Sequence, residues 1–181
     1  MRTVVLAMFT SLDGYINGPG GAFVGPPFSP DLKRHWIDRN MERADLMMYG
    51  RVCYEGMVQY WTSPAAAGEQ ADELAQRDKI VFSRTLDRAD WGRVRIVRDN
   101  IADEINRLKA QPGKDMLLIG GAGIAGTFLE LGLVDELSLL VIPRLLGGGT
   151  RLFEKSAPLS LKLIESLPFD SGVLRLTYRR A

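Results

Sequence analysis

The stretch IGGAGIAGTFLELG, residues 119–132, constrains the fold more than any other part of this 181-residue chain. An apolar run, DMLLI, leads into it, and Ile124, Ala125, Phe128 and Leu131 follow at helical spacing. A strand that turns on glycine straight into a helix is a joint of an α/β layered fold. The missing side chains permit a tight turn, and the helix start keeps its unpaired N–H groups outside. Gly121, Gly123 and Gly126 spell G-x-G-x-x-G. A doubly wound dinucleotide fold puts that turn after its first strand, with an acidic residue about 20 positions on. Here the turn comes past the middle of the chain, and Asp135 and Glu136 follow too soon. Two readings remain open for the glycines: a phosphate-binding loop, or a tight turn with small residues for packing. Gly126, inside the helix, reads as a packing position.

The rest of the chain supplies partners for that joint. TVVLAMF (3–9) is apolar on both faces, as in a central strand. Residues 10–28 are rich in glycine and proline and form a loop long enough to be functional or disordered. Ser29 and Pro30 suit the cap and first position of a helix whose inner face is Leu32, Trp36, Ile37, Met41 and Ala44. DLMMYG (45–50) reads as a buried strand, RVCYEGMVQYW (51–61) as a helix opened by Gly50, and ADELAQR (71–77) as a short helix. Strands follow at 79–83 and 93–97. Asn100 caps a helix with Ile101, Ile105 and Leu108 inward and an Asp103–Arg107 pair on its surface. ELSLLVIP (136–143) is another strand. LSLKLIES (159–166) and GVLRLTYRR (172–180) alternate about a turn at Asp170-Ser171-Gly172, the pattern of an antiparallel hairpin. Leu174, Leu176 and Tyr178 are expected inward, and Arg175, Thr177 and Arg179 toward water. The expected architecture is one α/β domain over residues 1–181. Its sheet is mixed but mostly parallel, ends in a C-terminal antiparallel hairpin, and carries helices on both faces.

Charge and cysteine content narrow the function classes. The 23 basic and 22 acidic residues leave a net charge of +1, which gives no footprint for nucleic acid or an anionic membrane. Cys53 is the only cysteine and His35 the only histidine, so no internal disulfide and no metal site of the usual kind are expected. The opening apolar run is too short for a signal peptide or a membrane span, so a cytoplasmic protein is expected.

Several stretches agree in order and spacing: SLDGYI (11–16), DLMMYGRVCYE (45–55), KIVFSRTL (79–86), LIGGAGIA (118–125), LVDELSLLVIPRLLGGGTRLF (133–153) and the final hairpin. Together they resemble the bacterial dihydrofolate-reductase-like family, similar to the C-terminal reductase domain of the bifunctional deaminase-reductase of riboflavin biosynthesis. The resemblance implies a three-layer dihydrofolate-reductase-like fold, NADPH as hydride donor, a small heterocyclic substrate and, often, a homodimer. It implies a cofactor loop at Gly120, Gly121, Ala122 and Gly123, where a helix start would meet the pyrophosphate. Gly50 and Arg51 repeat that geometry beside the phosphates, although Cys53 stands where relatives commonly carry threonine, which removes a hydroxyl contact. Ser83, Arg84 and Thr85 match a clamp on the adenosine 2′-phosphate, to which a guanidinium gives bidentate bonds. The loop from Thr10 to Gly21 resembles the mobile loop over the nicotinamide, and residues 146–153, by themselves a flexible turn, match a loop that borders the substrate pocket in the riboflavin-pathway relatives.

Two carboxylates are the catalytic candidates. Asp31 stands near the place where dihydrofolate reductases carry the acid that fixes and helps protonate the pterin. Asp13 is the second. Both have structural alternatives, a carboxylate favoured by the helix dipole and an Asx-type turn respectively. The implied reaction is hydride transfer from NADPH to a C=N or imine-type bond of a pteridine- or aminopyrimidine-like substrate. The alternative is a non-catalytic NADPH-binding sensor that keeps Arg51, Arg84 and the glycines but has no working proton donor.

Overall fold

The structure is a computed structural model that describes residues 1–154 and 157–181, apart from the side chains of Ile37, Asp38, Arg39, Met41 and Glu69. The inward placement expected of Ile37 and Met41 therefore lies outside the described residues. The strands are β1 (Val4–Ser11), β2 (Ala44–Gly50), β3 (Asp78–Phe82), β4 (Val94–Val97), β5 (Asp115–Gly120), β6 (Glu136–Ile142), β7 (Leu161–Pro168) and β8 (Leu174–Arg180). They form one sheet in the order β4-β3-β2-β5-β1-β6-β8-β7. Pairing is parallel from β4 to β6, and β8 runs against both of its neighbours. The helices are α1 (Pro30–Arg43), α2 (Arg51–Trp61), α3 (Glu69–Gln76), α4 (Ile101–Lys109) and α5 (Ala122–Glu130).

Alternate residues of the central strands point to opposite faces, and helices cover both, which is why these strands are apolar throughout. Leu6, Met48, Ile80 and Leu118 pack under Ile105 and Leu108 of α4 and Phe128 of α5. Met47, Tyr49 and Val81 face the other way, under Tyr54 of α2 and Leu74 of α3. Leu140 and Ile142 meet Leu32 of α1 on that same side. Among the described residues no helix is long and apolar enough to cross a membrane.

The terminal hairpin corrects the alternation read from sequence. Val173, Arg175 and Thr177 are the buried set, while Leu174, Leu176 and Tyr178 are only half-buried. The cause is what covers each face: α1 lies over the face that carries Val173 and Arg175, while the opposite face is only partly covered. Val173 joins Leu32 and Phe169 beneath α1, and Tyr178 packs on the opposite face. Arg175 tolerates burial because Glu165 neutralises it and His35 of α1 contacts it. Three smaller readings also shift. Arg107 pairs with Glu104 at 2.8 Å rather than with Asp103. Leu131 lies just past the end of α5 and is exposed. Ser29 and Asn100 occupy their cap positions without making a side-chain cap bond.

Asp135 and Glu136 sit at the amino end of β6, far from the glycine turn. Lys109 holds Asp135 at 2.7 Å, and Arg43 and Arg179 hold the buried Glu136. Their bonds are structural, in keeping with the rejection of a doubly wound nucleotide fold.

Candidate cofactor site

The carboxyl ends of the parallel strands line up along one edge. Tyr49 of β2 lies opposite Gly120 of β5, Gly50 opposite Phe82 of β3, and Phe82 opposite Val97 of β4. The segments that leave these strands therefore stand in a row: Gly120-Gly121, Gly50-Arg51, Ser83-Arg84-Thr85 and Arg98-Asp99. After β4 the chain doubles back to insert β5 between β2 and β1, then places β6 beyond β1. On open α/β sheets ligands bind outside the carboxyl ends, at such a reversal of strand order.

Two helix starts meet at this point. Gly50 precedes α2, and Gly121 precedes α5. A Cβ on Gly50 would come within 3.2 Å of Ile124 Cγ2, so the two turns pack against each other. Both helices direct unpaired first-turn N–H groups and a positive dipole end out of the fold, a ready anion site.

The adjacent glycines 120 and 121 differ in why they are glycine. Gly120 has φ +130, and a Cβ there would lie 2.6 Å from Met8 Sδ in the core. Its peptide bond to Gly121 is cis. Gly121 has φ −78 and ψ −167, which any residue adopts, and a Cβ there would meet nothing within 4 Å. Gly123, exposed in the first turn of α5, also faces open space. The fold needs Gly120, but nothing in the chain itself requires glycine at 121. Gly120→Ala is accordingly expected to cost about 1–3 kcal/mol of stability, and Gly121→Ala less, at most about 1 kcal/mol for the changed cap. Urea titrations of the two variants check this, and equal losses would contradict the distinction.

Arg51 is exposed and bonded to Glu55, one turn along α2, at 2.9 Å. Cys53 lies beneath the glycine turn, its Sγ 3.9 Å from the Ile119 carbonyl oxygen. Burial pushes its thiol up to about 11, so it is inert as a nucleophile. The Ser83 hydroxyl accepts the N–H groups of Thr85 (3.2 Å) and Leu86 (2.9 Å), which shapes the turn and leaves its own proton to donate. Arg84 is 81% exposed, and its Nε donates to Asp99 Oδ1 at 3.2 Å. Arg98, which the sequence reading did not single out, donates to the carbonyls of Arg84 (3.2 Å) and Leu86 (2.9 Å) and pins the same turn.

The two acidic candidates occupy structural bonds. Asp13 accepts the Ser11 hydroxyl at 2.5 Å, the Leu146 N–H at 3.1 Å and the Gly147 N–H at 2.8 Å. The Ser11 bond is the largest of the effects that hold its carboxyl at about 2. Asp31 accepts the Asp170 N–H at 3.0 Å and so ties α1 to the hairpin turn. The Ser29 hydroxyl, followed by that N–H, keeps its carboxyl below the usual range. Both are therefore ionised at neutral pH, whereas a general acid needs a raised pKa. The structural alternative is the one this geometry favours for each.

The same bonds fix half of the loop expected to be mobile. Besides Asp13, Asn17 Oδ1 accepts the Thr150 N–H at 2.8 Å, and the Leu152 N–H donates to Gly14 O at 3.0 Å. Gly149, at φ +119, leaves room for Asn17 O only because it lacks a Cβ. Residues 11–17 and 146–152 thus form one clasp at the carboxyl end of β1. Beside it, on the α1 side, lies an aromatic wall that the sequence reading also missed. The ring of Phe9 is 5.0 Å from that of Trp36 and 6.2 Å, edge-on, from that of Phe28.

A recess of about 480 Å³ lined by Arg2, Asp45, Lys79, Arg93 and Arg95 lies at the other, amino end of the strands. Its charges are already engaged: Arg2 with Asp45, Arg93 with Asp78, and Lys79 with the Ala75 and Arg77 carbonyls.

Known proteins share this architecture. A family model described as the RibD C-terminal domain matches residues 2–175. The uncharacterized protein YyaP of Bacillus subtilis (strain 168) is 34% identical over 181 residues, covering 98% of this chain and 94% of that protein. A crystal structure from Shewanella sp. PV-4, whose description ties it to riboflavin biosynthesis, superposes with a TM-score of 0.78 at 28% identity, covering 100% of this chain and 99% of that one. Dihydrofolate reductase from Enterococcus faecalis, complexed with NADP(H), superposes with a TM-score of 0.67 at 18% identity, covering 98% and 96% of the two chains.

Proposed function

The chain belongs to the RibD C-terminal domain family, and on that premise we propose that it is a cytoplasmic NADPH-dependent reductase acting on a C=N or imine-type bond of a pteridine- or aminopyrimidine-like substrate. The observation that carries this reading is Gly121, which opens a helix at the sheet's reversal point and faces space that no protein atom fills.

Bound NADPH supplies the hydride; the protein supplies position and shelter from water. The starts of α2 and α5, with Gly50, Gly120, Gly121, Ala122 and Gly123, hold the pyrophosphate through backbone N–H groups. Arg51, paired with Glu55 in this structure, would supply positive charge to the same phosphates. Ser83, Arg84 and Thr85 hold the adenosine 2′-phosphate. Phe9, Phe28 and Trp36 offer faces and edges to a planar ring, an arrangement that suits a heterocycle. Asp13 keeps the clasp closed over this end of the sheet, and Asp31 fixes α1 behind the ring. With both carboxylates ionised, the proton that accompanies the hydride comes from water.

That ionisation also favours a second reading, a sensor that binds NADPH without turnover. Following NADPH oxidation against a panel of pteridines and aminopyrimidines separates the two. Substrate-dependent consumption supports the reductase, and saturable binding without turnover on every member supports the sensor.

A homodimer belongs to the same proposal. β7 is an edge strand with Leu161, Leu163 and Ile164 exposed, a surface that a soluble chain covers or blunts. Light scattering at micromolar protein should give twice the 20.1 kDa chain mass, and a particle of the single-chain mass would refute pairing.

A further inference from the structure

We propose that Asp99 sets how strongly the site separates NADPH from NADH, an inference that rests on reading Ser83-Arg84-Thr85 as the 2′-phosphate clamp. β3 and β4 are parallel neighbours with Phe82 opposite Val97, so Ser83-Arg84 and Arg98-Asp99 leave the sheet side by side. The Arg84 guanidinium, the group that would bind the phosphate, donates to Asp99 Oδ1 at 3.2 Å.

This ion pair is built to exchange. Its side chains are 81% and 67% exposed, and such pairs contribute little. The backbone beneath is fixed by contrast. Arg98 bonds the Arg84 and Leu86 carbonyls, and the Ser83 hydroxyl accepts two N–H groups. The Arg84 side chain is the part that can move.

An arginine and a carboxylate are the two devices by which nucleotide sites tell a 2′-phosphate from a 2′-hydroxyl. Here both stand in contact. The Asp99 carboxylate accepts a hydrogen bond from a hydroxyl but repels a phosphate, and it competes with the phosphate for the Nε edge of the Arg84 guanidinium. NADH faces neither cost. Arg98 adds a second positive charge at the same turn, so the balance still favours NADPH. Asp99 blunts the preference without reversing it.

Fluorescence titrations of NADPH and NADH into the full chain, its Asp99→Asn variant and its Arg84→Ala variant test this, with folding checked by circular dichroism. Asp99→Asn should tighten NADPH by about two- to fivefold, the scale of an exposed charge pair, with NADH unchanged or weaker. The gain should shrink at high salt, which screens exposed charges. An unchanged NADPH-to-NADH ratio in Asp99→Asn, alongside weakened NADPH binding in Arg84→Ala, would overturn the role of Asp99 and leave the clamp standing. NADPH binding untouched in Arg84→Ala would overturn the clamp, and the inference with it.

Discussion

Gly121→Val is expected to abolish NADPH binding in a chain that still folds. The backbone at 121 is extended, so valine adopts it without strain, and its Cβ would meet no protein atom within 4 Å. Losing glycine at a helix cap costs on the order of 1 kcal/mol, too little to unfold a domain of this size. The branched side chain would instead fill the space in front of α5, where first-turn N–H groups must reach the pyrophosphate. Gly126→Ala is the matched control. It lies inside α5, where a Cβ also meets nothing within 4 Å, so it should leave binding intact and gain up to about 1 kcal/mol of helix stability. A doubly wound fingerprint would need that third glycine for helix–strand packing. Fluorescence titration of both variants, with folding checked by circular dichroism, decides between them. If folded Gly121→Val binds NADPH like the wild type, the stretch is only a turn.

Arg84→Ala should weaken NADPH about 10- to 100-fold and leave NADH nearly unchanged. A hydrogen bond to a charged group contributes about 1.5–3 kcal/mol, and only NADPH carries the 2′-phosphate. Arg84 is a clean probe because its side chain is exposed and its polar contact among the described residues is the exposed pair with Asp99. Ser83 is a poorer one, since its hydroxyl also holds the turn. Equal affinity of the wild type for the two cofactors would sink the clamp.

Local signals carried much of this in the sequence. The glycine joints at 50 and 120–121, the alternation of strands and helices, and the final hairpin appear where turn chemistry and periodicity place them. What depended on neighbours across the sheet did not. That β4 lies beside β3 brings Asp99 to Arg84, yet 15 residues separate them in sequence. That α1 packs over β8, with His35 against Arg175, buries Arg175 against its polarity. The bonds of Asp13 to Leu146 and of Asp31 to Asp170 span 133 and 139 positions, so the sequence left their roles open. The aromatic wall joins a strand, a loop and a helix whose contact no local pattern encodes.

A crystal structure of the chain saturated with NADPH tests the cofactor placement most directly. The pyrophosphate should lie within hydrogen-bond distance of the first-turn N–H groups at Gly50 and Gly121, with the 2′-phosphate on Ser83 and Arg84. Cofactor bound in the amino-end recess beside Arg2, Lys79 and Arg93, or anywhere off the carboxyl edge, would contradict the account.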